Sequence, residues 1–327
     1  MGARPDEVVR VSDLVTFGET MLRFTPPGHE RLESAATLDV RAAGAESNVA
    51  VAADRLGATA SWISKLPRNS LGRRIVGELQ GYGIDTSVAW SEGGRVGTYF
   101  TENAGQPRGT KTIYDRENAA IATARAEELD LDLVRRARVF FTSGITPALS
   151  EPLRETTFNL LKTAREAGTT TAMDVNYRAQ LWSPQEAREV LTRLFPGIDV
   201  LVIANRDADR ILGFEGSPNQ LAHKLASEFD FTTVIVTRGD RGALAWHDNT
   251  VYHQDPFKTD TYDPIGSGDA FTGAFIARRV SGDDVQTALS YAAATAALKR
   301  TIPGDVALVT RQEVERVRQG RPAGDEK

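Results

Sequence analysis

The sequence predicts an α/β protein built on a doubly wound, mainly parallel sheet, with a small β-sheet lid. Apolar β-rich runs alternate with helical patterns through most of the chain, as in folds that place helices on both faces of a parallel sheet. The later runs are almost wholly apolar, which is typical of strands covered on both faces. The predicted strands are Val11–Phe17, Ala60–Ser64, Val139–Thr142, Thr171–Val175, Val200–Ile203 and Val234–Thr237.

The helices between these strands carry recognisable end signals. Ser183, Pro184 and Glu186 supply an N-cap, a proline in the first turn and an acidic residue in that turn. Gly168 follows the helical pattern at 151–167, at the position where a left-handed residue commonly ends a helix. These signals divide the chain into repeated strand–helix units.

Two helix-poor stretches, residues 19–43 and 95–118, interrupt this rhythm. Their alternating segments, Met21–Phe24 and Gly97–Phe100, predict β-hairpins inserted in the α/β core. A sheet formed from both stretches beside a cleft can act as a lid, whereas two long surface excursions are the alternative. We therefore expect one domain over residues 10–318 and a flexible polar tail at 319–327.

Composition excludes several classes of function. The 327 residues carry a net charge of -5, which gives no basic footprint for nucleic acid. The absence of cysteine excludes disulfides and thiolate chemistry, and the four histidines lack metal-ligand spacing. No apolar run approaches the ~20 residues of a membrane span, and the first dozen residues lack an apolar signal segment. We expect a cytoplasmic protein without nucleic-acid or membrane partners.

The strongest local signal is the segment 263–269, which reads DPIGSGD. A turn containing Gly266 and Gly268 opens directly into a small-residue helix from Ala270 to Ala277. Such a turn and the free N–H groups of a helix start together bind anions such as phosphate. Asp269 lies where a carboxylate would accept a proton from a substrate hydroxyl during phosphoryl transfer. The alternative is that Asp269 only complements the helix dipole and the glycines only shape the turn.

Three motifs in order resemble the signatures of the ribokinase-like (phosphofructokinase-B) family. The segment 263–269 is similar to the second signature, usually D-T-x-G-A-G-D, with Pro264 and Ser267 as variants. The first signature is matched by GAESNVA at 44–50, and the nucleotide loop by VTRGDRG at 236–242. On these motifs the chain is identified as a member of that family.

The resemblance implies a Rossmann-like core with a β-sheet lid, ATP as phosphate donor, Mg²⁺, and a homo-oligomer that pairs through the lid. It makes Asp269 the catalytic base and Gly266, Ser267 and Gly268 the anion site. The implied nucleotide contacts are Asn176, Asn205, Thr237, Gly239, Gly242, Gly266 and Gly268.

The metal-associated motif of the family, N-x-x-E, departs from its usual form here. It falls at Asn205, and Ala208 occupies the position of the acid. Asp207 and Asp209 lie on either side, and either one could order metal-bound water. The sequence therefore does not decide which residues would bind the metal or its water ligands.

Within the family, the chain most resembles the 2-keto-3-deoxygluconate kinases. The segments GAESN at 44–48 and DVNYRAQLW at 174–182 carry this resemblance. It implies that the enzyme phosphorylates the terminal hydroxyl of a sugar acid. The implied substrate is 2-keto-3-deoxygluconate, and 2-keto-3-deoxygalactonate could be used as well. The implied substrate contacts are Gly44, Asn48, Tyr99, Tyr114, Arg116, Arg178 and Asp305.

The chemistry of a carboxylate substrate favours the same interpretation. A planar guanidinium grips a carboxylate with two parallel hydrogen bonds. Arg178 follows the end of a predicted buried strand, where open α/β sheets place their ligands. Two alternatives remain: a kinase for fructose, another neutral sugar or a nucleoside, and a sugar-binding regulator without activity.

Overall fold

Two β-sheets form the framework of the protein. The computed structural model describes residues 12–103 and 107–322. Its strands are β1 (Leu14–Phe17), β2 (Met21–Thr25), β3 (Asp39–Ala43), β4 (Ala60–Pro67), β5 (Asp85–Ser91), β6 (Thr98–Asn103), β7 (Thr110–Asp115), β8 (Val139–Ser143), β9 (Thr170–Asp174), β10 (Val200–Ala204), β11 (Thr233–Thr237), β12 (Ala243–His247) and β13 (Thr250–Gln254).

Helices α1 to α8 lie between these strands and α9 to α11 follow β13, and two predicted helix-end signals are confirmed. The helix predicted from Ala270 to Ala277 is longer than expected, because it begins at Ser267 and ends at Val280. The Ser183 hydroxyl accepts a hydrogen bond from the backbone N–H of Glu186, which confirms that N-cap. Gly168 has a φ of 77° just beyond the helix it was expected to end. The helices are α1 (Ala45–Arg55), α2 (Ser70–Gly81), α3 (Leu131–Arg136), α4 (Ile145–Ala148), α5 (Glu151–Glu166), α6 (Pro184–Leu194), α7 (Asn205–Leu212), α8 (Pro218–Phe229), α9 (Ser267–Val280), α10 (Val285–Lys299) and α11 (Arg311–Arg318).

The large sheet has nine strands in the order β13-β12-β11-β10-β9-β8-β1-β4-β5. All neighbours from β11 to β5 are parallel, and β12 and β13 add an antiparallel edge. The predicted fold class is therefore confirmed. From β1 the chain first builds outward through β4 and β5 and then returns to build the other side from β8. Open α/β sheets bind their ligands at the carboxyl edge near such a reversal.

The pattern of apolar runs missed three strands of this sheet, β5, β12 and β13. β5 is an edge strand with half-buried side chains, so it lacks the continuous apolar run of a central strand. β12 and β13 form a hairpin whose two turn residues, Asp248 and Asn249, both have positive φ. An Asp-Asn pair is a weaker hairpin signal than the Asn-Gly or Asp-Gly pairs that favour such turns.

Helices cover both faces of the large sheet. One apolar cluster joins the sheet to α1, α2, α9 and α10, and a second joins the opposite face to α5, α6, α7 and α8. Within β1, Leu14 belongs to the first cluster and its neighbour Val15 to the second. This alternation places one core on each side of the sheet. None of the described helices is long and apolar enough to cross a membrane.

The two helix-poor stretches form a second sheet of four strands, β3-β2-β6-β7, hereafter the small sheet. β2 pairs antiparallel with β3 and parallel with β6, and β6 and β7 form a hairpin. This part of the fold prediction is confirmed, whereas the domain limits 10–318 stay a prediction. Val11, which began a predicted strand, and 323–327 of the predicted tail lie outside the described residues.

Candidate active site

Two adjoining cavities open at the carboxyl edge of the large sheet. The first, about 400 Å³, lies between this edge and the small sheet, and we call it the substrate cleft. The second, about 460 Å³, lies beyond the ends of β10 and β11, and we call it the nucleotide cavity. They meet at the start of α9, because both are lined by Ala204, Arg206, Thr237, Ser267 and Gly268.

The turn before α9 has the shape that the sequence predicts for an anion site. Gly266 is the N-cap of α9 with a φ of 81°, and a Cβ there would overlap the carbonyl oxygen of Asp305. Only glycine therefore fits at this position. Gly268 has open space around the position of a Cβ, with nothing within 4 Å. The first-turn N–H groups of α9, which lack intrahelical partners, thus lie where the two cavities join.

Asp269 lines the substrate cleft in the first turn of α9. Its Oδ2 accepts a hydrogen bond of 2.7 Å from the side-chain amide of Asn48. Desolvation by the surrounding protein raises the pKa of Asp269 to about 7, although the side chain is only partly shielded from solvent. Asp174 contributes to this rise, whereas Asn48 and Arg178 oppose it. A carboxyl with a pKa near neutrality is suited to act as a general base.

A second cleft carboxyl, Asp174, lies at the carboxyl end of β9. Its Oδ1 accepts a hydrogen bond of 2.9 Å from the backbone N–H of Asn176, which has a φ of 38°. Burial raises the pKa of Asp174 to about 7, again against the effect of Arg178. Asp174 begins the segment DVNYRAQLW, but no role for its carboxyl was predicted from the sequence. Asn176, an implied nucleotide contact, lines the substrate cleft rather than the nucleotide cavity.

The seven implied substrate contacts all line the substrate cleft, but two of them already bind each other. The hydroxyl of Tyr99 donates to Oδ2 of Asp305 at 2.6 Å, and Oδ1 of Asp305 pairs with Arg23. Arg23 also pairs with Asp263 at 2.7 Å. Burial and Asp305 raise the pKa of Tyr99 well above its usual value. Lining the cleft are Gly44, Asn48, Tyr99, Tyr114, Arg116, Arg178 and Asp305.

Sequence reasoning missed Arg23, although a signal was present. Arg23 lies on β2 between Leu22 and Phe24 and is 2% exposed, because it faces the same side of the strand as Met21. A charged residue at an inward position of an alternating strand indicates a buried partner. Here the partners are carboxylates of the C-terminal segments, which tie the small sheet to the anion-binding turn.

The two arginines among the implied substrate contacts differ in their surroundings. Arg116 is largely buried, pairs with Glu19 and lies over the ring of Tyr114 at 5.7 Å. Burial raises the pKa of Glu19, and Arg116 opposes that rise. Arg178 is exposed in the cleft, and its guanidinium makes no hydrogen bond or ion pair with any described residue. Of these two arginines, Arg178 is therefore the one whose guanidinium is available to an anionic ligand.

The nucleotide cavity combines an apolar slot with positive charge. The implied contacts Asn205, Thr237, Gly239 and Gly242 line it together with Ser267 and Gly268, whereas Gly266 lines only the substrate cleft. A flat base fits an apolar slot, and cations suit its phosphates. The slot is formed by Pro256, Phe257, Phe271, Ala293, Ala296 and Ala297, and the cations are Arg206, Arg238, Arg241 and Arg300.

The two candidate metal-associated acids are not equivalent. Asp207 lines the substrate cleft and is 8% exposed, whereas Asp209 is exposed and lines neither cavity. Burial raises the pKa of Asp207. Among the described residues, no group of three or more acids and histidines is placed to hold a metal ion.

Comparison with known proteins agrees with this geometry. The profile of the pfkB family carbohydrate kinases matches residues 11–310. The chain is 58% identical over 313 residues to a protein of Haloferax volcanii named 2-dehydro-3-deoxygalactonokinase, covering 96% of this chain and 98% of that one. It is 31% identical to a 2-dehydro-3-deoxygluconokinase of Thermoproteus tenax, covering 93% and 92% of the two chains.

A solved structure shares the whole architecture. The crystal structure of 2-dehydro-3-deoxygluconokinase from Thermotoga maritima superimposes with a TM-score of 0.89 at 33% identity, covering 95% of this chain and 99% of that one. The family profile spans both sheets and the turn before α9. The resemblance seen in the sequence motifs is thereby confirmed, and the chain belongs to the pfkB family of carbohydrate kinases.

Proposed function

We propose that this kinase phosphorylates the terminal hydroxyl of a 2-keto-3-deoxy sugar acid, derived from galactonate or gluconate. The observation that carries the proposal is the unpaired guanidinium of Arg178, which lies in the same cleft as Asp269 and acts on its pKa. A cleft that binds a neutral sugar has no need of a free cation, whereas a carboxylate gains a charge-assisted pair there. The names of the relatives at 58% and 31% identity support this substrate class.

The cleft residues suit a direct phosphoryl transfer. With the carboxylate on Arg178, the terminal hydroxyl would lie against Asp269, which accepts its proton as the oxygen attacks the γ-phosphorus of ATP. The bond from that phosphorus to the bridging oxygen breaks, and ADP departs. The N–H groups at the start of α9 stabilise the charge on the transferring group. Asn48 holds Asp269 in place through the hydrogen bond between their side chains.

ATP is the proposed donor because the nucleotide cavity meets the substrate cleft at this anion-binding turn. Mg²⁺ would enter bound to the phosphates and supply charge neutralisation there. Of the two candidate acids, Asp207 is the better placed to order its water ligands, because Asp209 lines neither cavity. Since ATP is supplied inside cells, we expect the enzyme to act in the cytoplasm.

A substrate comparison tests the proposal. The kinase is assayed at equal concentrations of 2-keto-3-deoxygalactonate, 2-keto-3-deoxygluconate, fructose, ribose and adenosine. We expect kcat/KM for the better acid to exceed that for every neutral substrate by at least about tenfold, the value of one charge-assisted hydrogen bond. The 58% identical relative favours the galactonate-derived acid as the better one. Faster turnover of fructose would reject the proposal in favour of a fructokinase.

We also propose that the protein pairs with a second copy through the small sheet. Residues in register across its four strands form an apolar row on the side facing away from the cleft, and Phe24 and Phe100 stack there at 5.1 Å. Ile113 in this row is 48% exposed. Light scattering of the protein and of Ile113→Lys tests this: we expect a dimer that the charge dissociates. The row consists of Val40, Phe24, Phe100 and Ile113.

A further inference from the structure

A fully buried lysine lies beneath the anion-binding turn, and the proposed mechanism does not use it. Lys299 is the last residue of α10 and is 0% exposed. Its Nζ donates to the carbonyl oxygen of Asp263 at 3.0 Å and to that of Ile302 at 3.1 Å. Both partners are main-chain carbonyls. An ion loses much solvation free energy on burial, so other interactions must offset the cost of burying this ammonium.

The two carbonyls belong to the two loops that build the active site. Asp263 begins the turn that leads to Gly266 and α9, and Ile302 lies in the loop that carries Asp305 into the cleft. The loops touch directly, because the backbone N–H of Gly304 donates to Oδ2 of Asp263 at 3.0 Å. A Cβ on Gly266 would overlap the carbonyl of Asp305. The ammonium of Lys299 therefore ties the anion turn to the loop of a proposed substrate contact.

Charge explains why a cation is needed at this point. Asp263 and Asp305 are 0% and 7% exposed, and Arg23 and Lys299 are 2% and 0% exposed. These four residues form a buried cluster of two negative and two positive charges. Burial lowers the pKa of Lys299, and both carboxylates oppose that change. Loss of the lysine charge would leave one carboxylate uncompensated in the interior, which is costly.

We propose that Lys299 is a positioning residue whose ammonium acts as a built-in monovalent cation for the anion-binding turn. The inference rests on the kinase family and not on the identity of the sugar. Carbonyl oxygens can replace the hydration shell of a monovalent cation such as K⁺, and ammonium donates hydrogen bonds as the lysine does. A shortened side chain should therefore leave a site that either free ion occupies. In this proposal the wild-type enzyme turns over without a free monovalent ion, and the shortened variant acquires dependence on one.

Two variants separate the charge of Lys299 from its volume. Lys299→Ala removes the ammonium and opens space for an ion, whereas Lys299→Met removes the charge but fills the space with a side chain of similar length. Each is assayed with Mg²⁺ and ATP, on the best sugar of the wild-type enzyme. The salts are the chlorides of tetramethylammonium, ammonium and potassium at equal ionic strength. The control is Lys65→Ala, another buried lysine, which pairs with Glu128 at 2.7 Å.

We expect Lys299→Ala in tetramethylammonium to lose about tenfold or more in kcat, because small misplacements of reacting groups are that costly. Ammonium or potassium should restore most of this loss and raise the melting temperature of the variant. Lys299→Met should stay impaired in every salt. The wild-type enzyme should respond equally to all three salts, and any defect of Lys65→Ala should not depend on the cation.

Three results would overturn the proposal. The first is a kcat of Lys299→Ala in tetramethylammonium that equals the kcat of the wild-type enzyme. The second is a loss that neither small cation reverses in kcat or melting temperature, which would make Lys299 a packing residue only. The third is a Lys299→Ala protein that does not fold in any of the three salts. Folding only in ammonium or potassium would instead support the proposal. Failure of the sugar-acid assignment would leave all these readouts intact.

Discussion

Asn48 and Asp269 join the starts of two helices through a hydrogen bond of 2.7 Å. Their helices, α1 and α9, approach so closely that a Cβ on Gly273 would overlap the carbonyl oxygen of Val49. The separation between the first signature and the proposed base is therefore fixed by backbone packing. Oδ1 of Asn48 is buried without a partner among the described residues. Because such acceptors are normally satisfied, we infer that a substrate hydroxyl donates to it.

The base role of Asp269 predicts a large effect of Asp269→Asn. The amide cannot accept the hydroxyl proton, so kcat should fall by at least ~10², the usual size of general-base catalysis. ATP affinity, measured by calorimetry, should change little. The exposed Asp132→Asn on α3 serves as the matched control. An Asp269→Asn enzyme with more than half of the wild-type kcat would remove Asp269 from this role.

The raised pKa of Asp269 predicts how activity depends on pH. The base works only when ionised, so kcat/KM should rise as pH increases through about 7 and level off above it. Asp174 titrates in the same range, and each carboxyl disfavours ionisation of the other. Asp174→Asn removes that repulsion, so the midpoint of the residual activity should move to lower pH. A midpoint that stays in place or moves upward would contradict this coupling.

The two glycines of the anion turn should respond differently to alanine. Gly266→Ala places a side chain in left-handed backbone, which costs roughly 1–2 kcal/mol, and also creates an overlap with Asp305. We expect clear destabilisation in urea unfolding. Gly268→Ala meets no atom within 4 Å, so stability should be unchanged or slightly higher. Its kcat should nevertheless fall, because the added methyl lies where the phosphoryl group is proposed to pass.

Normal turnover by a stable Gly268→Ala enzyme would show that this open space is not used by the phosphoryl group. Equal stability of the two variants would show that the turn before α9 tolerates rearrangement. The pair thus tests the shape of the turn separately from its role in catalysis.

The features that depend on local chemistry could be predicted from the sequence. The apolar runs of central strands, the Ser183 cap and the glycine turn before α9 all follow from residues close together in the chain. The pairing of Arg23 with Asp263 and Asp305 does not, because 240 and 282 positions separate these residues. Only the fold brings the small sheet to the C-terminal loops.

The same limit applies to the electrostatics of the cleft. The sequence made both Arg116 and Arg178 implied substrate contacts and favoured Arg178 as the partner of a carboxylate, without showing whether either guanidinium is free. The structure distinguishes them, because Glu19 from another stretch of the chain already pairs with Arg116. Asp174 likewise gained significance only when its carboxyl was found close enough to Asp269 to raise its pKa. Distances between charges, and not residue types, decide these assignments.

Arg178 separates the sugar-acid function from a neutral-sugar one. If its free guanidinium holds the substrate carboxylate, Arg178→Ala removes a charge-assisted pair of roughly 1.5–3 kcal/mol, which is a ~10- to 150-fold loss in kcat/KM. The loss should fall on the acid, while weak activity on fructose, which has no carboxylate, should change much less. Arg178→Lys should recover only part, because a point charge cannot reproduce the planar fork.

The measurement is kcat/KM of each variant for both kinds of substrate, with the exposed Arg188→Ala on α6 as a matched control. Raising the salt concentration should weaken the wild-type KM for the acid more than that for fructose, because salt screens an exposed pair. Equal losses on acid and neutral substrates would mean that Arg178 positions ATP or supports the fold. The sugar-acid assignment would then lose its physical basis in the cleft, and a fructokinase would become the better description.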